Sequence, residues 1–118
     1  MNYLDIQHSV KKELPKELLA NEYRRVMWKN AKRIFSRIEK VIPIREAHVM
    51  GSFTVKKTRP ADVDLMLLLK TPEKDKSAKW SLDLVIAPDN RYGKAVSADN
   101  DKWVKQRYGK KAVRIKIK

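Results

Sequence analysis

Apolar residues recur at three- and four-residue steps along "LPKELLANEYRRVMWKNAKRIFSRIEKVIP", residues 14–43. The set is Leu19, Tyr23, Val26 or Met27, Ala31, Ile34, Ile38 and Val41. That period predicts a long amphipathic helix. Pro15 suits a first-turn position and Pro43 a stop. The opposite face carries Arg24, Arg25, Lys29, Lys32, Arg33, Arg37 and Lys40. It reads either as a solvated surface or as a nucleic-acid contact.

After Pro43 the pattern shortens. "IREAHVM" alternates and predicts a first strand that runs into Gly51. "GSFTVKKTRP" is polar and basic, a loop or short helix. "DVDLMLLL" predicts a second strand, apolar on both faces and so central to a sheet. "TPEKDKSAK" is a charged turn. "WSLDLVIA" predicts a third strand, closed by "PDN". "RYGKAV" reads as loop. "SADNDKWVKQRYG" offers Ser97 or Asp99 as an N-cap and Gly109 as a stop. "KAVRIKIK" alternates Val113, Ile115 and Ile117 with basic residues, as an edge strand does. The order predicts an α/β (α+β) fold: a mixed sheet of about four strands, with a long N-terminal helix and a short C-terminal helix. No repeat or linker interrupts it, so a single domain over residues 1–118 is expected, with residues 1–14 as a mobile lead.

Composition narrows the function classes. The chain is 118 residues with a formal net charge of +14, which favours an anionic partner: nucleic acid, a nucleotide or another polyanion. There is no cysteine, which excludes disulfides, thiol chemistry and cysteine-based zinc sites. The start of the chain lacks an apolar signal core, and the longest apolar run, residues 63–69, is far too short to span a bilayer. A cytoplasmic protein without a membrane partner is expected. His48 reads as a partly buried strand histidine, and His8 carries no signal. Trp28, Trp80 and Trp103 read as core or partner surface.

The candidate chemistry lies in "VMGSFTVKKTRPADVDLMLLL", residues 49–69. Positions i and i+2 of a strand point the same way, so Asp62 and Asp64 are expected on one face. Their repulsion is relieved by a bridging cation, and Mg²⁺ with oxygen ligands suits it. Asp83, on the expected third strand, would complete a set of three carboxylates. Such a set can hold two metals about 3.5–4 Å apart for in-line phosphoryl displacement. Gly51 allows close backbone approach, the Ser52 hydroxyl can hold phosphate oxygens, and Lys56, Lys57 and Arg59 can offset phosphate charge. Simpler readings remain: carboxylates capping a turn, Asp83 on a surface face, and Gly51-Ser52 as an ordinary turn.

"GSFTVKKTRPADVDL" followed by "LDLVIA" resembles the nucleotidyltransferase domain of the DNA polymerase beta superfamily, of the minimal nucleotidyltransferase type. The resemblance covers residues 45–87. It implies that the chain has the polymerase beta-like fold and is a Mg²⁺-dependent enzyme. Such an enzyme moves a nucleoside monophosphate from an NTP to an acceptor hydroxyl. Gly51 and Ser52, with Lys56 and Lys57, would bind the nucleotide. Asp62 and Asp64 would be catalytic and bind the metal on the triphosphate, and Asp83 would help bind the second metal and act as base. The pattern departs from the superfamily in reading Val55, Lys56, Lys57 where many members have a basic residue followed by glycine. It also has Ala61 where serine often precedes the first aspartate. Larger members carry a helical domain after the catalytic one, so a separate helical protein partner is implied. The stretch from Lys102 to Lys118 has eight basic residues and no acid; Lys105, Arg107, Lys110, Lys111, Arg114 and Lys116 are candidate nucleic-acid contacts. Other readings are a non-catalytic nucleic-acid-binding module and an antitoxin-type interaction protein.

Overall fold

A computed structural model describes residues 13–118. His8 and most of the expected mobile lead lie outside the described residues. The chain resolves into two compact units, Met1–Ala78 and Lys79–Lys118.

Among the described residues, the first element of the first unit is a 3-10 turn, Lys16–Leu19, placed directly after Pro15. Helix α1 follows over Glu22–Glu39. Its N-cap is Asn21, whose side chain accepts from the Arg24 N–H at 2.8 Å. That satisfies one of the helix's orphan donors. The helix stops four residues short of Pro43, as the proline requires. Its buried residues are Arg24, Trp28, Phe35 and Ser36. The buried face is therefore turned away from the expected apolar stripe: Val26 and Ile34 are exposed, while Tyr23, Met27, Ala31 and Ile38 are half-buried. Arg24, expected on the solvated face, belongs to the interior.

Strands β1 (Ile44–Met50) and β2 (Asp64–Leu69) pair antiparallel, with Ile44 opposite Leu69 and Met50 opposite Asp64. Among the described residues they form the whole sheet. This corrects the expected mixed sheet of about four strands. The class remains α+β, with two helices and a two-stranded antiparallel sheet. β2 is also not buried on both faces. Leu65, Leu67 and Leu69 are half-buried, while Met66 and Leu68 are exposed. The connector between the strands, residues 51–63, supplies the core instead. It contributes Phe53, which is 0% exposed, and the fully buried Pro60; Phe53 packs against Trp28 with ring centroids 6.2 Å apart.

In the second unit, residues 80–87 and 111–118 contain no strand. Trp80, Leu82, Leu84, Val85 and Ile86 are exposed, as are Val113, Ile115 and Ile117. Alternation supplies the side-chain pattern of a strand, but a ladder also needs a partner backbone. β1 and β2 find theirs locally across the connector; these two segments do not. Helix α2 spans Arg91–Tyr108, 18 residues rather than a short helix. It is capped by Asn90, whose side chain accepts from the Gly93 N–H at 2.9 Å. "RYGKAV", expected as loop, forms its first turns. Gly93 fits there because a Cβ would meet the Pro88 carbonyl oxygen at 1.7 Å. Gly109 ends the helix as expected. The chain then folds back: Arg114 donates to the Ser97 hydroxyl at 2.6 Å and to its carbonyl at 2.7 Å.

Candidate functional site

Gly51 follows β1 directly, in a left-handed conformation with φ of 72°. The register that sets Met50 opposite Asp64 brings the Asp64 carboxylate over it. A Cβ at Gly51 would lie 2.6 Å from Asp64 Oδ2. Glycine is thus required here twice, by its backbone conformation and by the close approach of a carboxylate. Ser52, half-buried, is the second residue of the 3-10 turn Gly51–Thr54. Thr54 Oγ1 closes that turn by donating to the Gly51 carbonyl at 2.7 Å.

The first turn of α1 shapes the remainder of the connector. Arg24 is 2% exposed. Its Nε donates to the Lys57 carbonyl at 2.8 Å, and Nη1 to the Phe53 carbonyl at 2.9 Å and the Leu18 carbonyl at 3.0 Å. Nη2 donates to the carbonyls of Ser52 and Val55. The guanidinium carbon lies 4.7 Å from the centre of the Phe53 ring, within cation–π range. Asn21 Nδ2 donates to the Thr58 carbonyl at 3.0 Å, and the Tyr23 hydroxyl to the Pro60 carbonyl at 2.7 Å. Arg59 lies over the Tyr23 ring at 5.2 Å. Three neighbouring side chains of one helical turn therefore hold the connector from Ser52 to Pro60. A planar fork with five donors suits a set of carbonyls that no ammonium could reach together.

Of the expected site residues, Gly51, Ser52, Lys56, Lys57, Asp62 and Asp64 all lie in the first unit, on the connector or at its junctions with the strands. Lys56, Lys57 and Arg59 are exposed. β2 begins at Asp64, so Asp62 precedes the strand by two residues. Asp62 is half-buried and Asp64 exposed. Asp83 lies in the second unit, in a segment without strand pairing rather than on a third strand. Among the described residues, no three His, Cys, Asp or Glu side chains gather into a metal-holding group. His48, expected to be partly buried, is exposed, with Nε2 3.3 Å from Glu46 Oε2. Trp28 is core, whereas Trp80 and Trp103 are exposed.

The candidate nucleic-acid contacts divide. Lys105 pairs with Asp101 at 3.1 Å, Arg114 is held by Ser97, and Arg107 lies over the rings of Trp103 and Tyr108. Lys110, Lys111 and Lys116 are exposed. The clamp of Asn21, Tyr23 and Arg24 was not singled out by sequence reasoning. A signal for it exists in the four-residue step from Arg24 to Trp28, which puts the arginine on the stripe of an interior tryptophan.

A sequence model of DUF6932, a family of unknown function, matches residues 5–118. The chain belongs to DUF6932. The match runs across both compact units, so the DUF6932 unit of sequence includes the segment that bears Asp83 as well as the Gly51–Asp64 corner. No curated protein matches the chain, and no solved structure does. Among the described residues, no helix is long and apolar enough to cross a membrane.

Proposed function

We propose that the chain binds a nucleoside triphosphate with Mg²⁺ at the Gly51–Asp64 corner and transfers its nucleoside monophosphate to an acceptor hydroxyl, which loses its proton as the α–β phosphoanhydride bond breaks and pyrophosphate leaves. The observation that carries this reading is the approach of the Asp64 carboxylate to Gly51, at a place where a Cβ would lie 2.6 Å from its oxygen. The turn expected to meet the phosphates thus adjoins a carboxylate expected to meet the metal. Asp62 and Asp64 would supply the hard oxygen donors that Mg²⁺ takes, alongside phosphate oxygens and water. Mg²⁺ would supply charge neutralisation on the triphosphate.

The chain's own groups then have simple tasks. The Ser52 hydroxyl and the backbone beside Gly51 position phosphate oxygens. Lys56 and Lys57 offset their charge. Arg24 acts from behind by fixing the connector that presents these groups. Catalysis by positioning and electrostatics needs no covalent intermediate with the protein. The role of Asp83 as a third carboxylate and base rests on the sequence resemblance alone. Asp83→Asn tests it separately, through turnover at unchanged nucleotide affinity.

Isothermal titration with ATP, CTP, GTP and UTP, with and without Mg²⁺, tests the reading. The expected result is binding that needs the metal and falls at least about tenfold in Asp62→Ala/Asp64→Ala, the scale of a lost charged contact. Metal-independent binding, or equal affinity in that variant, would overturn it. A non-catalytic nucleic-acid module is the second reading, favoured by the exposed cations of α1. It is told apart by nucleic-acid affinity that ignores both Mg²⁺ and the two aspartates.

A further inference from the structure

We propose that the outer face of α1 is a phosphate-binding surface for a nucleic-acid strand. Arg25, Lys29, Arg33 and Arg37 follow one another at four-residue steps, and all are exposed. Each step advances about 6 Å along the axis and turns about 40°. The row is therefore about 18 Å long and drifts over roughly a third of the circumference. Lys40, the C-cap residue, is exposed within the same arc. The acids of α1 are confined to its two ends, Glu22 and Glu39. Among the described residues none of these five cations enters an ion pair; Arg25 Nη1 donates to the Leu19 carbonyl at 3.1 Å.

That openness, which rests on Lys29, Arg33 and Arg37, distinguishes the row from the other basic features. Lys32 is drawn off the face: it lies over the Trp28 ring at 5.9 Å and pairs with Glu13 at 3.8 Å. Lys105, Arg107 and Arg114 of the C-terminal run are occupied within their own unit. The row also starts one residue after Arg24, which holds the connector bearing Lys56 and Lys57. Row and connector are thus parts of one packed unit.

The spacing suits a repeating anion. Phosphates follow one another at about 3.4 Å per strand along a helix axis, so the row offers one cation every one to two nucleotides. No aromatic residue interrupts it, which removes base stacking and leaves recognition to phosphates, indifferent to sequence. An acidic protein partner would be expected to meet an apolar centre within the charge. The arc offers only the half-exposed Val26. The binding claim stands without transfer chemistry; only the strand's part as acceptor rests on the function proposed above.

The test is fluorescence anisotropy with a labelled single-stranded RNA of about 20 nucleotides, titrated over a series of salt concentrations. Wild type is compared with Arg33→Gln/Arg37→Gln and with Lys70→Gln/Lys74→Gln, which removes the same charge at two exposed lysines away from α1. The α1 pair is expected to weaken binding about tenfold or more and to lower the log–log salt slope by about 1.4. The control pair should change affinity less than about threefold. Equal losses in the two variants would reduce the effect to net charge and overturn the proposal. So would an absence of binding by the wild type, or displacement of the RNA by poly-glutamate as efficiently as by unlabelled RNA. Asp62→Asn/Asp64→Asn should keep full RNA affinity. RNA binding without any Mg²⁺-dependent nucleotide binding would sustain this surface and refute the transfer reading alone.

Discussion

Arg24 carries a full charge into a place that is 2% exposed. An unpaired buried charge is prohibitively unfavourable, and what offsets it here is main chain rather than a carboxylate. Five carbonyls surround the guanidinium. Arg24→Met keeps much of the packing but leaves those carbonyls without their donor. A loss on the order of 3 kcal/mol or more is expected, measured by urea denaturation. Arg24→Lys should recover little of it, because one ammonium cannot span the set. Gly51 is the other demanding position. Gly51→Ala should cost about 1–2 kcal/mol for the left-handed backbone alone. It also forces the Asp64 carboxylate to move, so nucleotide affinity should fall further than stability does, as titration of the folded variant would show. The sequence made Gly51 readable, since a glycine between a strand and a polar loop invites the question. Arg24 was hidden among seven basic residues of one helix, because charge pattern does not reveal which cation has turned inward.

At the scale of elements, α1 acts both as a helix and as the organiser of the β1–β2 connector. Asn21 has both functions, capping the helix through its side-chain oxygen and holding Thr58 through its nitrogen. Asn21→Ala should destabilise by about 1–2 kcal/mol, whereas Asn21→Asp keeps the cap and loses only the Thr58 contact. A pair of thermal melts separates the two contributions. Helix period, Pro43 and Gly109 made α1 and the end of α2 legible, because those signals act within a few residues. The start of α2 was not, because "RYGKAV" reads as loop and Ser97 or Asp99 as the cap, whereas the helix starts at Arg91 with Asn90 as its cap. β1 and β2 were legible as strands and closed on each other through one connector. Residues 80–87 have equally good alternation and form none, because alternation cannot supply the partner backbone.

For the whole molecule, the division at Ala78 predicts an uneven pattern of protection. Amides of β1 and β2 should exchange slowly, and those of residues 80–87 close to the intrinsic rate, since the latter have no ladder to break. Hydrogen-exchange mass spectrometry checks this; protection across residues 80–87 comparable with β2 would contradict the arrangement. The candidate site was legible to the same extent as the sheet. Gly51 and Asp64 came together through the β1–β2 register, whereas the reading of Asp83 depended on a strand that residues 80–87 do not form. The formal charge of +14 also divides unevenly in its effect, and Arg24 shows how an interior cation still contributes. A trans peptide is planar, so a carbonyl aimed at the guanidinium sends the following N–H the opposite way. The carbonyls of Ser52, Phe53, Val55 and Lys57 all point inward. The amide dipoles that follow them are aligned with their positive ends away from α1. Arg24 itself is screened from any ligand, but its orientation of these peptide units passes part of its field through the connector to the side that carries Lys56 and Lys57.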